Sequence, residues 1–269
     1  MTGYTTLTVE REGAVETLTL DRPDRMNGIT GTMVRELADY WSSKAADVDT
    51  RVILLRGAGR AFCAGLDLKE QGPGGDRVTF DPGEATLSDL PVLMRAAPQP
   101  IVALLHGGVS GGGFAMALAA DFRFAGESLK MNDAFARIGM SGCEMGVSWF
   151  LPRLIGLPAA RELIYTGRHV DAERAERLGL ASGVAPDDEL RALAQPLIDD
   201  LLAVSPTGLR ESKRTLDAAL VVDDLATVIS LEMGAQARCQ ATGDFEEAVA
   251  AFVERRAPSF RPLRREPRS

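Results

Sequence analysis

One stretch constrains this chain more than any other. An apolar run, Ile101 to Leu105, is followed by His106-Gly107-Gly108-Val109-Ser110-Gly111-Gly112-Gly113 and then by the helix-like run Phe114 to Ala120. Five apolar residues between turn signals predict a buried strand. The three consecutive glycines predict a tight turn, and the run beyond them a helix. A helix N-terminus carries unpaired backbone N–H groups and a partial positive charge. Glycine lets another group come close to that backbone. Such a turn suits an anion, or an oxygen that becomes anionic during a reaction. Gly-rich turns also serve as plain packing devices, so this one does not by itself decide between the two.

The flanking segments show the same alternation. Thr5-Leu7-Val9 and Val15-Leu18-Leu20 around Arg11-Glu12-Gly13 predict a β-hairpin. A polar turn, Asp21 to Gly28, precedes helical spacing over 30–46 (Met33, Leu37, Trp41) and a short buried strand, Val52 to Leu55. That strand runs into a second small-residue turn, Gly57 to Lys69. Residues 71–84, with Gly72, Pro73, Gly74, Gly75, Pro82 and Gly83, are expected to form a mobile loop. A helix is expected over 86–96 and a strand over Phe122 to Ala125. A third Gly-punctuated loop, Ser141 to Gly146, precedes a helix over Val147 to Ile155. Beyond it the pattern is almost wholly helical, over 159–166, 171–178, 187–203, 206–220, 223–239 and 243–255. Strands alternating with helices, then helices alone, predict an α/β core over 1–200 and a helical C-terminal region over 201–260. A basic tail, 261–269, closes the chain, and disorder is expected there.

Net charge narrows the partners. At −8 the chain is unsuited to broad contact with nucleic acid or an anionic membrane. No run has the apolar length of a membrane span, and the N-terminus lacks the shape of a signal peptide. A cytoplasmic compartment is the expectation. Cys63, Cys143 and Cys239 are odd in number and far apart, and only His106 and His169 stand beside them. Neither a disulfide framework nor a zinc site is expected.

Taken in order, the motifs resemble the crotonase (enoyl-CoA hydratase/isomerase) superfamily from about residue 5 to residue 260. The resemblance rests on the Arg22-Pro23 to Asn27 turn, on Gly57-Ala58-Gly59-Arg60-Ala61-Phe62-Cys63-Ala64-Gly65-Leu66-Asp67-Leu68, and on Gly111 to Gly113 with Ala119-Ala120-Asp121. It continues through Trp149-Phe150-Leu151-Pro152-Arg153-Leu154-Ile155-Gly156, Thr166-Gly167-Arg168 and Leu178-Gly179-Leu180 to the helix near Phe245–Phe260. It implies a spiral of ββα units with a helical trimerisation region, assembled as a homotrimer or a dimer of trimers. It also implies a coenzyme A thioester as substrate, with CoA entering as part of that substrate and no separate cofactor. Carried onto this chain, the backbone N–H groups of Leu66 and Gly112 stabilise a thioester enolate. Ala61 and Ala64 line the adenine side, with Asp67, Leu68 and Gly111 beside them. Lys69 and Arg25 are candidates for the phosphates, with Arg255 and Arg256 as further basic residues. Asp67 either orders its turn or is a solvated carboxylate.

The chain departs from the hydratase pattern at two places. Where hydratases of the family carry two glutamates around one water, this chain has Ala115 and Phe135. Neither side chain transfers a proton, and hydration needs help both for water and for carbon. Glu144, in the 141–146 loop, is the acid that remains in the neighbourhood, as in certain Δ3-Δ2-enoyl-CoA isomerases. Phe135, Met140, Met145 and Trp149 are expected to give it apolar surroundings. Three readings result: a Δ3-Δ2-enoyl-CoA isomerase with one Glu base, an enoyl-CoA hydratase, or an acyl-CoA-binding protein without catalysis. His106 is expected to be a hydrogen-bonded strand-end residue. Cys63 and Cys143 lack a paired His and are not expected to act as nucleophiles.

Overall fold

The computed structural model describes residues 3–79, 81 and 83–263. The expected tail therefore lies mostly outside the described residues, as do two positions of the 71–84 loop. Alternation of apolar residues along three strands sets the architecture. In β3 (Val52–Gly57) and β4 (Ile101–Leu105), Ile53, Leu55, Ile101, Ala103 and Leu105 face one core. Val52, Leu54, Val102 and Leu104 face another, where α7 (Leu190–Ala203) contributes Leu190, Ala194, Ile198 and Leu201. Burial on both faces explains why these strands read as unbroken apolar runs. Phe124 of β6 (Phe122–Gly126) joins the second core.

The expected hairpin is β1 (Leu7–Glu12) and β2 (Val15–Leu20), paired antiparallel with Leu7 opposite Leu20. The six-stranded sheet has the order β1-β2-β3-β4-β6-β9, parallel from β2 onward. Its last strand, β9, is the two-residue Val184–Ala185. A second sheet joins β5 (Gly108–Ser110), β7 (Lys130–Asn132) and β8 (Val170–Asp171).

Helices cover the first core. In α1 (Gly31–Ser43), Thr30 caps the start by accepting from the Met33 N–H, and Met33, Val34, Leu37 and Trp41 pack inward. α2 (Asp89–Ala96) begins three residues later than its pattern predicts. α3 (Gly112–Ala119) is buried on every side, which its sequence Gly-Gly-Phe-Ala-Met-Ala-Leu-Ala permits because it carries no charge. α4 (Val147–Ile155), α5 (Leu157–Thr166) and α6 (Ala172–Arg177) follow. After α7 come α8 (Pro206–Ala219), α9 (Leu225–Gln240) and α10 (Asp244–Glu254). Among the described residues no helix is long and apolar enough to cross a membrane.

Candidate active site

The two Gly-rich turns are built into one another. The chain after β3 runs beside β5: Phe62 N–H donates to the His106 carbonyl at 2.8 Å, Cys63 N–H to Gly108 at 3.1 Å, and Ser110 N–H to Cys63 at 3.0 Å. Gly65 has φ +87°, and a Cβ there would stand 2.7 Å from the Ser110 carbonyl oxygen and 3.5 Å from the Gly111 Cα. Only glycine accepts both the left-handed backbone and that approach. On its other side this segment bridges Ile29, whose N–H donates to the Gly65 carbonyl at 2.8 Å while its carbonyl accepts from Asp67 N–H at 3.0 Å. In such a parallel bridge the intervening residue turns its own N–H the opposite way. The Leu66 N–H is therefore directed away from Ile29. Gly112 opens α3, where the first-turn N–H groups have no acceptor inside the helix. Among the described residues neither the Leu66 nor the Gly112 N–H has a hydrogen-bond acceptor.

Apolar side chains wall these donors. A Cβ at Gly112 would meet Ile29 Cδ1 at 2.7 Å, Met145 Sδ at 3.4 Å and Leu87 Cδ2 at 3.7 Å; one at Gly111 would meet Phe135 Cε1 at 3.9 Å. A phenyl ring thus stands beside the Gly111 turn, and the fully buried Ala115 occupies the first turn of α3. Neither offers a proton.

Glu144 lies in the loop before α4. Its neighbour Met145 is held at φ +50°, a left-handed conformation costly for a residue with a Cβ, and Gly146 follows at +80°. This reversal carries Met145 inward against Gly112. Glu144 itself is half-buried and accepts a hydrogen bond from Ser88 Oγ at 2.7 Å. Its surroundings are less apolar than expected. Phe135 and Met145 are buried, but Met140 is 52% and Trp149 38% exposed. Trp149 turns instead to Arg153, whose guanidinium lies 3.5 Å from the ring centre.

The proposed CoA-side residues divide into two groups. Arg25, Leu68 and Lys69 are exposed, and neither Arg25 nor Lys69 is in an ion pair among the described residues. Ala64 is half-buried. Ala61, by contrast, is only 1% exposed, packed beneath Gly107, so its methyl group offers a ligand no surface. Gly111 is likewise buried, within the turn itself. Asp67 orders its turn and is not a solvated carboxylate. It is buried, pairs with Arg22 at 3.0 Å, and accepts from the Lys69 N–H at 3.2 Å. Arg256 is engaged with Glu247 and Glu254, while Arg255 closes α10. His106 Nε2 lies 2.9 Å from the Gly59 carbonyl oxygen, the strand-end role expected of it. Burial pushes the Cys63 thiol up to about 12, which leaves it protonated and inert.

Three residues of the site are given no individual role by the sequence. Asn27, buried at φ +53°, donates to the Ala58, Ala61 and Phe62 carbonyls and fixes the small-residue turn. Its left-handed position after Met26 gives no signal in the sequence. Ser88 falls inside the helix expected over 86–96, where nothing in the sequence marks it. Asp133 has a fully buried carboxyl whose Oδ2 has no partner, although Oδ1 accepts from Phe135 N–H at 3.3 Å. Burial pushes it up to about 6, against the pull of that N–H. Asp133 is the one acid of the 131–138 stretch, but Asn132 and Arg137 beside it give that stretch the look of an ordinary polar loop.

Comparison with known proteins finds one family across nearly the whole chain. The profile of the enoyl-CoA hydratase/isomerase family matches residues 10–262. The probable enoyl-CoA hydratase EchA12 of Mycobacterium tuberculosis is 37% identical over 250 residues, covering 90% of this chain and 88% of that one. The 1,2-epoxyphenylacetyl-CoA isomerase of Escherichia coli is 32% identical, covering 93% and 95%. The crystal structure of an enoyl-CoA hydratase from Bacillus anthracis superposes with a TM-score of 0.87 at 30% identity, covering 95% of this chain and 99% of that one.

Proposed function

We propose, starting from a chain that belongs to the enoyl-CoA hydratase/isomerase (crotonase) family, that it shifts the double bond of a 3-enoyl-CoA thioester to the 2-position with Glu144 as its one proton carrier. The observation that carries the reading is the set of groups around Gly111 and Gly112. Among the described residues two backbone N–H groups are open, the walls beside Gly112 are apolar, Ala115 and Phe135 are inert, and the half-buried Glu144 directly precedes Met145, whose Sδ packs against Gly112.

Isomerisation fits that set because it needs no water and no net proton. Glu144 takes a proton from C2, beside the thioester carbonyl. The electron pair passes into a dienolate whose oxygen lies on the Leu66 and Gly112 N–H groups, where the α3 dipole favours negative charge. Glu144 then returns the proton to C4, leaving the double bond between C2 and C3. Arg25 and Lys69, exposed and without ion pairs among the described residues, are assigned to the CoA phosphates.

Hydration is the second reading, favoured by the hydratase names of relatives such as EchA12. It needs a second acid, and Asp133 is a nearby carboxyl the sequence reading passed over. Asp133, however, is closed to solvent, with its Oδ2 facing Gly142: a Cβ there would lie 2.9 Å away. Medium-chain 3-enoyl-CoA and trans-2-enoyl-CoA, assayed in parallel, separate the readings. Conversion of the first and no hydration of the second is expected. Hydration of the second makes the enzyme a hydratase, and binding without turnover on either makes it an acyl-CoA-binding protein.

The assembly proposed with this chemistry is a homotrimer or a dimer of trimers. It is supported by apolar residues left exposed on the C-terminal helices, among them Leu216, Leu225, Met233, Phe245 and Phe252, the last 86% exposed.

A further inference from the structure

Ser88 breaks a local rule. A serine directly before a helix normally adopts an extended backbone and accepts a hydrogen bond from an N–H of the first turn. Ser88 precedes α2, yet its backbone is helical (φ −70°, ψ −18°) and its side chain caps nothing. The local turn is closed instead by Asp89, whose Oδ2 accepts from both the Thr86 N–H and the Thr86 hydroxyl at 2.8 Å. The Ser88 hydroxyl is thereby released, and it donates to Glu144 Oε1 at 2.7 Å, across 56 residues of sequence. Departures of this kind from local preference concentrate at functional sites.

Both ends of this hydrogen bond are fixed by packing on the same glycine. Leu87, next to Ser88, places its Cδ2 3.7 Å from where a Gly112 Cβ would stand. Met145, next to Glu144, places its Sδ 3.4 Å from the same point. Leu90 holds the following turn of α2 in the core. Backbone on each side of the bond is thus anchored against the residue that supplies one of the proposed oxyanion donors.

We propose that Ser88 is a positioning residue for Glu144. Its hydroxyl occupies Oε1, fixes the carboxylate plane and leaves Oε2 as the oxygen that exchanges the proton with substrate carbon. Oε2 has no other hydrogen-bond donor among the described residues. The inference rests on the reading of Glu144 as the proton carrier. A hydrogen bond to a carboxylate is among the stronger ones, and a carboxylate held in one orientation meets the carbon acid without a search over rotamers.

The test is steady-state kinetics on 3-enoyl-CoA with Ser88→Ala, Ser88→Thr, Glu144→Gln and the double variant Ser88→Ala/Glu144→Gln, each checked for a wild-type melting transition. Ser88→Ala is expected to lower kcat about tenfold, the scale of one charge-assisted hydrogen bond, with KM nearly unchanged. Ser88→Thr, which keeps the hydroxyl, is expected to restore most of the rate. In the Glu144→Gln background, loss of the serine is expected to cost nothing further. Ser88→Ala with wild-type kcat, or a loss that appears in KM and is not rescued by threonine, overturns the inference while Glu144→Gln stays inactive. A fully active Glu144→Gln overturns the proposed function itself.

Discussion

Two carboxyl groups eleven residues apart meet opposite fates. Glu144 is half-buried and hydrogen-bonded by Ser88, while Asp133 is sealed beneath Gly142 with one oxygen unpartnered. Burial pushes Asp133 from its ordinary 3.8 up to about 6. The folded state then holds a proton that the unfolded state gives up between those values. The resulting stability is fully present below about pH 4 and is lost as pH rises through about 6. Asp133→Asn keeps the shape without the charge. It is expected to stabilise the protein at pH 7.5 by up to about 3 kcal/mol, the scale of such a shift, and to give no gain at pH 4. Thermal melts at both values check this, and an equal effect at both contradicts it. Glu144 was legible through the family resemblance, as the acid left in the neighbourhood once Ala115 and Phe135 stand where hydratases carry glutamates. Ser88 and Asp133 were not. Ser88 sits inside the helix expected over 86–96, and Asp133 is covered by Gly142, which only the fold brings to it.

At the scale of elements, α3 is the central piece; the sequence showed a helix-like run from Phe114, and the structure opens the helix two residues earlier, at Gly112. What the sequence hid is the strand before it. Gly108–Ser110 looks like part of a turn, yet it pairs with β7 and bridges Cys63 through Val109. Three-residue and two-residue strands such as β5, β8 and β9 are too short to display a period, so pattern reading passes over them. The late start of α2 has a local cause, the Thr86–Asp89 turn. Its far end is tied to the C-terminal region: Arg95 bonds Asp121 at 2.6 Å and Asp217 of α8 at 2.5 Å, and Lys213 adds 2.9 Å to Asp121. Against the burial that would raise it, Lys213 and Arg95 hold the Asp121 carboxyl below its usual range. For α3 the decisive substitution is Gly112→Pro. Proline is well accepted at the first position of a helix, but it deletes the N–H assigned to the oxyanion. Loss of one such donor costs about 10²–10³ in kcat. Gly112→Ala introduces the same crowding against Ile29 and keeps the donor, so it is expected to lose much less. Equal losses in the two variants would assign the effect to crowding.

Across the whole molecule, the sequence correctly anticipated the α/β core, the helical C-terminal region and the family. The ordered turn motifs and the switch from mixed elements to helices alone made them readable. Assembly is harder to read, because exposed and buried apolar residues look alike until the fold is known. Phe252, Val253 and Phe245 on α10 are now seen to face outward, as do Leu225 and Met233 on α9. Sedimentation at micromolar concentration is expected to give three or six times the chain mass of 28.8 kDa, and Phe252→Glu to shift the protein toward smaller species. A wild-type monomer would contradict the assembly. The central claim is that one carboxylate carries the proton from C2 to C4. The measurement that tests it most directly is the rate at which Glu144→Gln converts 3-enoyl-CoA to 2-enoyl-CoA, compared with wild type. A fall of about 10²–10⁴, the usual contribution of general acid–base catalysis, with substrate binding retained, is the result this account predicts. A rate equal to wild type would contradict it.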